Sequence, residues 1–498
     1  MNKLYNQFIE RKSQVGGMSG FEPLEIPKFL FDFQRHLVEW SIRRGRAAEL
    51  ADCGLGKTPM QLVWADNVVR KTDRRVLILT PLAVANQTQR EAEKFGIEAK
   101  RSIAGELSSR IVITNYERLS HFKPEDFAGV VCDESSILKS FNGETRKQVT
   151  RFMSKLPYRL LCTATAAPND YIELGTSSEA LGELSNSDML RRFFKYLDDK
   201  GQRSELRQQE EAEKIIAQGG EYYQKLAYRV AQTIGQWRLK HHAVIPFWKW
   251  VASWARACRK PSDLGFDDAR FILPPLNKYT HVIKPSTPPD GMLFNIPQFG
   301  LGAEREERRR TMKERCEFVR ELVNHNRPAV IWCHMNDEAD LLEEIIPGAR
   351  QIAGATPDDE KVELYEAFAD GGLGKLIIKP KIGAWGLNWQ HCAHVVTFAS
   401  HSYEQYYQSI RRCWRFGQKN PVRLDVVAVE GEARVIDNME SKAKRAELMF
   451  EALVREMNGS MRIDRKDDYT NKEELPTWLQ KNKSLPTITP SIAETVAT

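Results

Sequence analysis

The chain has 498 residues, with 73 Lys and Arg against 67 Asp and Glu and a formal net charge of +6. That length exceeds what a single hydrophobic core serves, so at least two domains are expected. A charge balance so near neutral permits a polyanionic partner without pointing to one. The eight Cys residues never fall in CxxC spacing, which excludes the common zinc and dithiol motifs and reads as reduced, mostly buried thiols. No apolar run reaches membrane-spanning length, and the opening MNKLYNQFIERKSQ lacks the apolar core of a signal peptide, so a soluble cytoplasmic protein with no membrane partner is expected.

Residues 1–25 read as an N-terminal extension. Between Lys28 and Thr165, short apolar runs alternate with helical stretches: VLILT from Val76, IVIT from Ile111, VVCD from Val130 and LLCTAT from Leu160. These read as buried parallel strands of an α/β unit over residues 26–170. Residues 171–327 read as a largely helical insertion and connector, interrupted by the Pro-rich PSTPPDG at Pro285 to Gly291. A second set of runs, PAVIWC from Pro328, KLIIK from Lys375, HVVTF from His394 and RLDVVAV from Arg423, predicts a second α/β unit over 328–458. Residues 459–498 lack periodicity and read as a tail.

Chemistry concentrates in ELADCGLGKT, where Ala51 to Thr58 fits the phosphate-loop pattern AxxxxGKT ahead of a helix. Gly54 and Gly56 let backbone N–H groups approach phosphate oxygens, Lys57 reaches the terminal phosphates, and Thr58 offers a hydroxyl to Mg2+. Downstream, VVCDESS sets Asp133 and Glu134 at a strand end, Asp133 to hold the metal and Glu134 to orient and deprotonate the attacking water. GGLGK at Gly371 to Lys375 lacks the Ser or Thr that follows Lys in such loops and reads as a turn, and PDDEK at Pro357 reads as a helix start, not a nuclease motif.

The ordered motifs closely resemble those of the superfamily two helicases, and within them the Swi/Snf-type double-stranded DNA translocases. The likeness covers most of Phe29 to Val454. FLFDFQRHLVEW resembles the segment in which the family's glutamine, here Gln34, recognises adenine. VLILTPLAVANQTQREAEKF and IVITNYERL resemble first-lobe elements leading to DNA contacts, and LLCTATAAPND is similar to the threonine motif, with Thr163 and Thr165 in its threonine positions. KIGAWGLNW resembles the segment that carries Gly383, Gly386 and Asn388, and QSIRRCWRFGQ matches QxxxRxxRxGQ throughout.

By this resemblance the fold is two RecA-like lobes, the cofactors are ATP and Mg2+, and Arg412 and Arg415 act as arginine fingers. Thr163, Thr165, Gly386, Asn388 and Gln408 would couple nucleotide state to movement. Asn115, Lys381 and Asn388 would touch nucleic acid, and the partner would be DNA, double-stranded and gripped without sequence specificity. An arginine from the opposite lobe has an independent rationale, since hydrolysis spreads negative charge that a guanidinium stabilises. The chain departs from the family at Ser136, where His is usual, at Ala164, where Gly is usual, and in a phosphate loop one residue shorter. Compact forms of this kind resemble helicase-related proteins of bacteriophages and prophages. A strand-separating or branch-migrating DNA helicase and a nucleic-acid-binding scaffold with ATP as a slow switch remain as alternative readings.

Two further stretches have local explanations. Phe247, Trp250, Val251 and Trp254 recur at helical spacing and predict core packing over a base-stacking surface. EREERRRTMKERCEFVREL from Glu304 interleaves Glu with Arg and predicts a solvated, salt-bridged helix face. The pair His241 and His242 lacks further ligands at metal spacing.

Overall fold

The computed structural model describes residues 17–139, 143–165, 171–197, 237–284, 301–383, 387–400 and 402–469. The Pro-rich PSTPPDG, Gly386, and most of residues 1–25 and 459–498 lie outside this set.

The first sheet contains β1 (Arg46–Ala51), β2 (Arg75–Thr80), β3 (Ala99–Arg101), β4 (Ile111–Asn115), β5 (Phe127–Asp133) and β6 (Tyr158–Cys162). A two-stranded antiparallel ribbon of β7 (Phe194–Tyr196) and β8 (Trp237–Leu239) forms a separate small sheet whose Phe194 and Leu239 pack into the same lobe's core. β9 (Ala255–Cys258) returns to the first sheet, whose order is β3-β4-β2-β5-β6-β1-β9 with every pairing parallel. Parallel strands need crossovers, and helices such as Lys57–Thr72 and Glu144–Met153 supply them, so both faces of the sheet are buried.

The second sheet begins with β10 (Leu276–Ile283) and continues with β11 (Ala329–Trp332), β12 (Ala349–Ile352), β13 (Lys375–Ile378), β14 (His394–Phe398) and β15 (Val422–Val429). Its order is β10-β15-β14-β11-β13-β12, again all parallel, with an apolar cluster on each face. The protein therefore has two RecA-like α/β lobes. β9 and β10 lie inside the stretch read as a largely helical insertion. Each completes an edge of one lobe, so that stretch is in part lobe and not wholly an accessory.

The aromatic helix Val244–Trp254 buries Phe247, Trp250, Val251 and Trp254 in the first lobe's core, against Phe193 and Phe194. The Arg-rich stretch departs from expectation at Arg315. It forms two helices, Leu301–Arg310 and Met312–Leu322, and Arg315 on the second is fully buried against Glu338 at 2.8 Å. Beside it stands the expected solvated, salt-bridged face, with Arg309, Lys313 and Arg320 exposed and Arg310 paired with Glu307 at 2.6 Å.

The last helix, Ala433–Tyr469, links the lobes a second time. Val435, Ile436 and Met439 pack on the second lobe, whereas Leu453, Val454 and Met457 enter the core of the first. Among the described residues all eight Cys are buried and unpaired, no His, Cys, Asp and Glu cluster suits a metal ion, and no helix is long and apolar enough to cross a membrane.

Candidate functional site

In parallel sheets the carboxyl ends of the strands open onto the binding crevice. β1 ends at Ala51, and the loop Asp52 to Gly56 runs into the helix that begins at Lys57. Gly54 and Gly56 have φ of 87° and 76°, which side chains rarely adopt, and a Cβ on Gly56 would meet Gln34 Nε2 at 2.3 Å. Lys57 Nζ donates to the carbonyls of Ala51 at 3.1 Å and Asp52 at 3.4 Å, curling back along the loop. Gln34 donates to Leu55 O at 2.8 Å and accepts from Phe31 N at 3.0 Å, which fixes its amide beside the loop.

β5 brings the acidic pair to the same crevice. Gln61 Nε2 donates to Asp133 Oδ1 at 2.7 Å, and the Tyr116 hydroxyl donates to Asp133 O at 2.6 Å. Burial and the adjacent Glu134 push the Asp133 carboxyl up to about 6. Glu134 sits at φ 49° and keeps a buried Oε2 with no hydrogen-bond partner among the described residues. A non-glycine residue held in this region is strained, and such strain concentrates at functional sites. The neighbouring Ser136 hydroxyl is likewise buried without a partner among the described residues.

The second lobe faces this loop with the helix Tyr403–Ile410 and the turn after it. Arg412 is 2 % exposed and donates to Gln408 O at 2.9 Å and Gln408 Oε1 at 2.6 Å. Arg415 Nη1 donates to Leu387 O at 3.0 Å, while its Nε is unpartnered among the described residues. Burial and the nearby Arg412 lower the Arg415 guanidinium to about 10. Gln34, Gly54, Gly56, Lys57, Thr58, Asp133 and Glu134 from the first lobe and Asn388, Arg412 and Arg415 from the second line one cleft of about 400 Å³.

The threonine motif touches the second lobe directly. Thr165 Oγ1 donates to Glu404 Oε1 at 3.3 Å and lies 3.5 Å from Gln408 Nε2, and Thr163 Oγ1 accepts from Thr165 N at 3.1 Å. Lys139 pairs with the same Glu404. A second inter-lobe groove of about 510 Å³ is lined by Lys139, Lys361 and the exposed Lys381 and by Glu117, Asp358 and Glu404, with Glu134 shared between groove and cleft. Asn115 ends β4, is 4 % exposed and donates to Glu117 at 2.7 Å. Gly386 lies outside the described residues.

Sequence reasoning missed several residues here. Phe416 and Phe271 stack with ring centroids 4.7 Å apart at the cleft wall, each in edge contact with Phe31. Asp52 and Arg411 pair between the lobes at 3.0 Å. Both arginine and aromatic partners come from distant segments, so no local pattern announces them.

The donor set suits a magnesium-bound nucleoside triphosphate. The glycine turn has no room for a Cβ, a lysine and a threonine follow it, a carboxylate stands opposite, and buried polar atoms of Glu134 and Asn388 lack partners among the described residues. Residues 314–417 match the family described as the helicase conserved C-terminal domain. No curated protein matches the chain. The second lobe thus carries a domain of helicase type, which supports nucleotide use and nucleic-acid binding.

Proposed function

We propose that this chain is an ATP-dependent double-stranded DNA translocase of the Swi/Snf type, hydrolysing ATP between its lobes. One observation carries the reading: a single cleft gathers Lys57, Asp133 and Glu134 opposite Arg412 and Arg415. Lys57 binds the terminal phosphates once its bonds to Ala51 O and Asp52 O are exchanged. Thr58 and Asp133 hold Mg2+, which when bound neutralises phosphate charge. Glu134, with its free Oε2, accepts a proton from the attacking water. Arg415 and Arg412 stabilise the charge that develops on the transferred group. Gln34 reads the adenine edge.

Thr163, Thr165, Gln408, Gly386 and Asn388 pass the state of the cleft to the nucleic acid. Lys381, exposed at the neighbouring groove, grips the sugar-phosphate backbone, so binding is without sequence preference. Glu134 borders both cavities and gives the two sites a common wall. If the lobes grip one strand alternately, each closure and opening becomes displacement.

The test is steady-state ATP hydrolysis alone and with duplex DNA, single-stranded DNA or RNA, followed by triplex displacement and a forked-duplex assay. Duplex stimulation with release of only the third strand is expected. Separation of the fork would favour a strand-separating helicase, and absence of hydrolysis with every polymer would favour a scaffold switched by nucleotide.

A further inference from the structure

Behind the phosphate loop, on the side away from the cleft, the second lobe takes hold of the loop's first residue. Arg411 Nη2 donates to Asp52 Oδ2 at 3.0 Å and to Cys53 O at 2.6 Å, and the Tyr407 hydroxyl donates to Asp52 Oδ1 at 2.8 Å. Arg411 is 5 % exposed and lies beside the rings of Tyr407 and Trp414, with its guanidinium carbon 5.7 and 5.1 Å from their centroids. Unlike Arg412 and Arg415 it does not line the nucleotide cleft. It borders the cavity on the loop's far side.

The geometry points to Arg411 and Tyr407 as positioning residues that set the phosphate loop from the opposite lobe, so that nucleotide affinity depends on lobe closure. The inference rests on the reading of the cleft as an ATP site. Asp52 N donates to Cys258 O at 3.0 Å and its Oδ1 accepts from Cys53 N at 2.7 Å, so the first lobe fixes this turn from one side. Arg411 and Tyr407 fix it from the other. The Asp52 carbonyl they border is one of the two that hold Lys57 Nζ, and Gly54 and Gly56 follow directly. Parting of the lobes removes two donors from Asp52 and one from Cys53 O, and the loop loses its outer constraint. Because coupling is reciprocal, nucleotide that favours the ordered loop also favours the closed lobes.

The experiment uses the full chain and measures kcat and KM for ATP together with the affinity for a fluorescent ADP. Arg411→Ala and Asp52→Asn are each expected to raise KM and weaken ADP binding about tenfold while kcat changes less than about threefold. The double variant is expected to be no worse than either single one, and Arg411→Lys to recover part of the loss. Tyr407→Phe, which removes one hydroxyl, should raise KM about threefold and decides the matter if Arg411→Ala does not fold. Unchanged KM in Tyr407→Phe and Asp52→Asn, or fully additive losses in the double variant, would overturn the inference. Lys57→Ala separates the two failures. If the parent binds no nucleotide, the cleft reading fails; if the parent binds, Lys57→Ala does not and Arg411→Ala binds like the parent, only this inference fails.

Discussion

Thr165 Oγ1 of the first lobe donates a hydrogen bond to Glu404 Oε1 of the second at 3.3 Å, and Lys139 pairs with the same carboxylate. One buried acceptor therefore serves two donors across the lobe boundary. Glu404→Ala leaves both without it and is expected to cost about 1–3 kcal/mol in urea denaturation. Glu404→Gln keeps an acceptor for Thr165 and should cost less. Equal stability of all three proteins would show that the contact contributes nothing.

Arg412 and Arg415 occupy the same cleft with unequal commitments. Arg415 makes a bond to Leu387 O, whereas Arg412 also anchors Gln408. Arg415→Ala should lower kcat about 10²–10³-fold with little change in KM or Tm. Arg412→Ala should lower kcat comparably and reduce Tm as well. Normal turnover in either variant counts against a site shared between lobes.

The buried pair of Arg315 and Glu338 predicts a steep, asymmetric mutational response. Glu338 also accepts from His334 N at 2.9 Å and Met335 N at 3.1 Å, so it caps the helix Asn336–Ile345 while neutralising Arg315. Glu338→Ala strands a buried guanidinium and should cost about 3–5 kcal/mol. Replacing both residues, Arg315→Met with Glu338→Leu, should cost less than Glu338→Ala alone. Chemical denaturation of the three proteins decides it.

Glu49 gives the first lobe a pH dependence. It is wholly buried on β1, accepts from Ser41 Oγ at 2.8 Å, and burial pushes its carboxyl up to about 7. A raised folded-state value means that the folded protein binds the proton more tightly than the unfolded chain. Its contribution is complete below about 4.5 and is lost as pH rises through about 7, on the order of 3 kcal/mol in all. His325 acts with the opposite sign, since burial and Lys375 hold it down to about 4. The measurement is therefore the difference between the parent and Glu49→Gln from pH 4.5 to 8, which should widen in favour of the variant as pH rises. A constant difference would remove Glu49 as the cause.

Much of the fold was legible where strands are rich in β-branched residues. VLILT, IVIT, KLIIK and HVVTF all became central strands. β1, which carries the phosphate loop, was not, because RAAELA holds three alanines and a glutamate and is a strand by virtue of β6 and β9 on either side. The polar β10 escaped for a related reason. It is an edge strand with most side chains exposed and only β15 to define it. At the site, motif spacing announced the residues that face the cleft. It was silent on Asp52 and Arg411, whose pairing exists only once two lobes meet, and it misjudged Arg315, whose partner lies on another helix.

The helix Ala433–Tyr469 leaves β15 on the second lobe and ends its packing in the core of the first. Together with the connection that runs from β9 to β10, it ties the lobes at two places. Two bodies joined at one point can swing in any direction. Joined at two, they keep chiefly the rotation about the line between the ties, as a door keeps only its swing. Any swing of one lobe against the other is thereby channelled into one repeatable path, which is the mechanical condition that the proposed translocation would need.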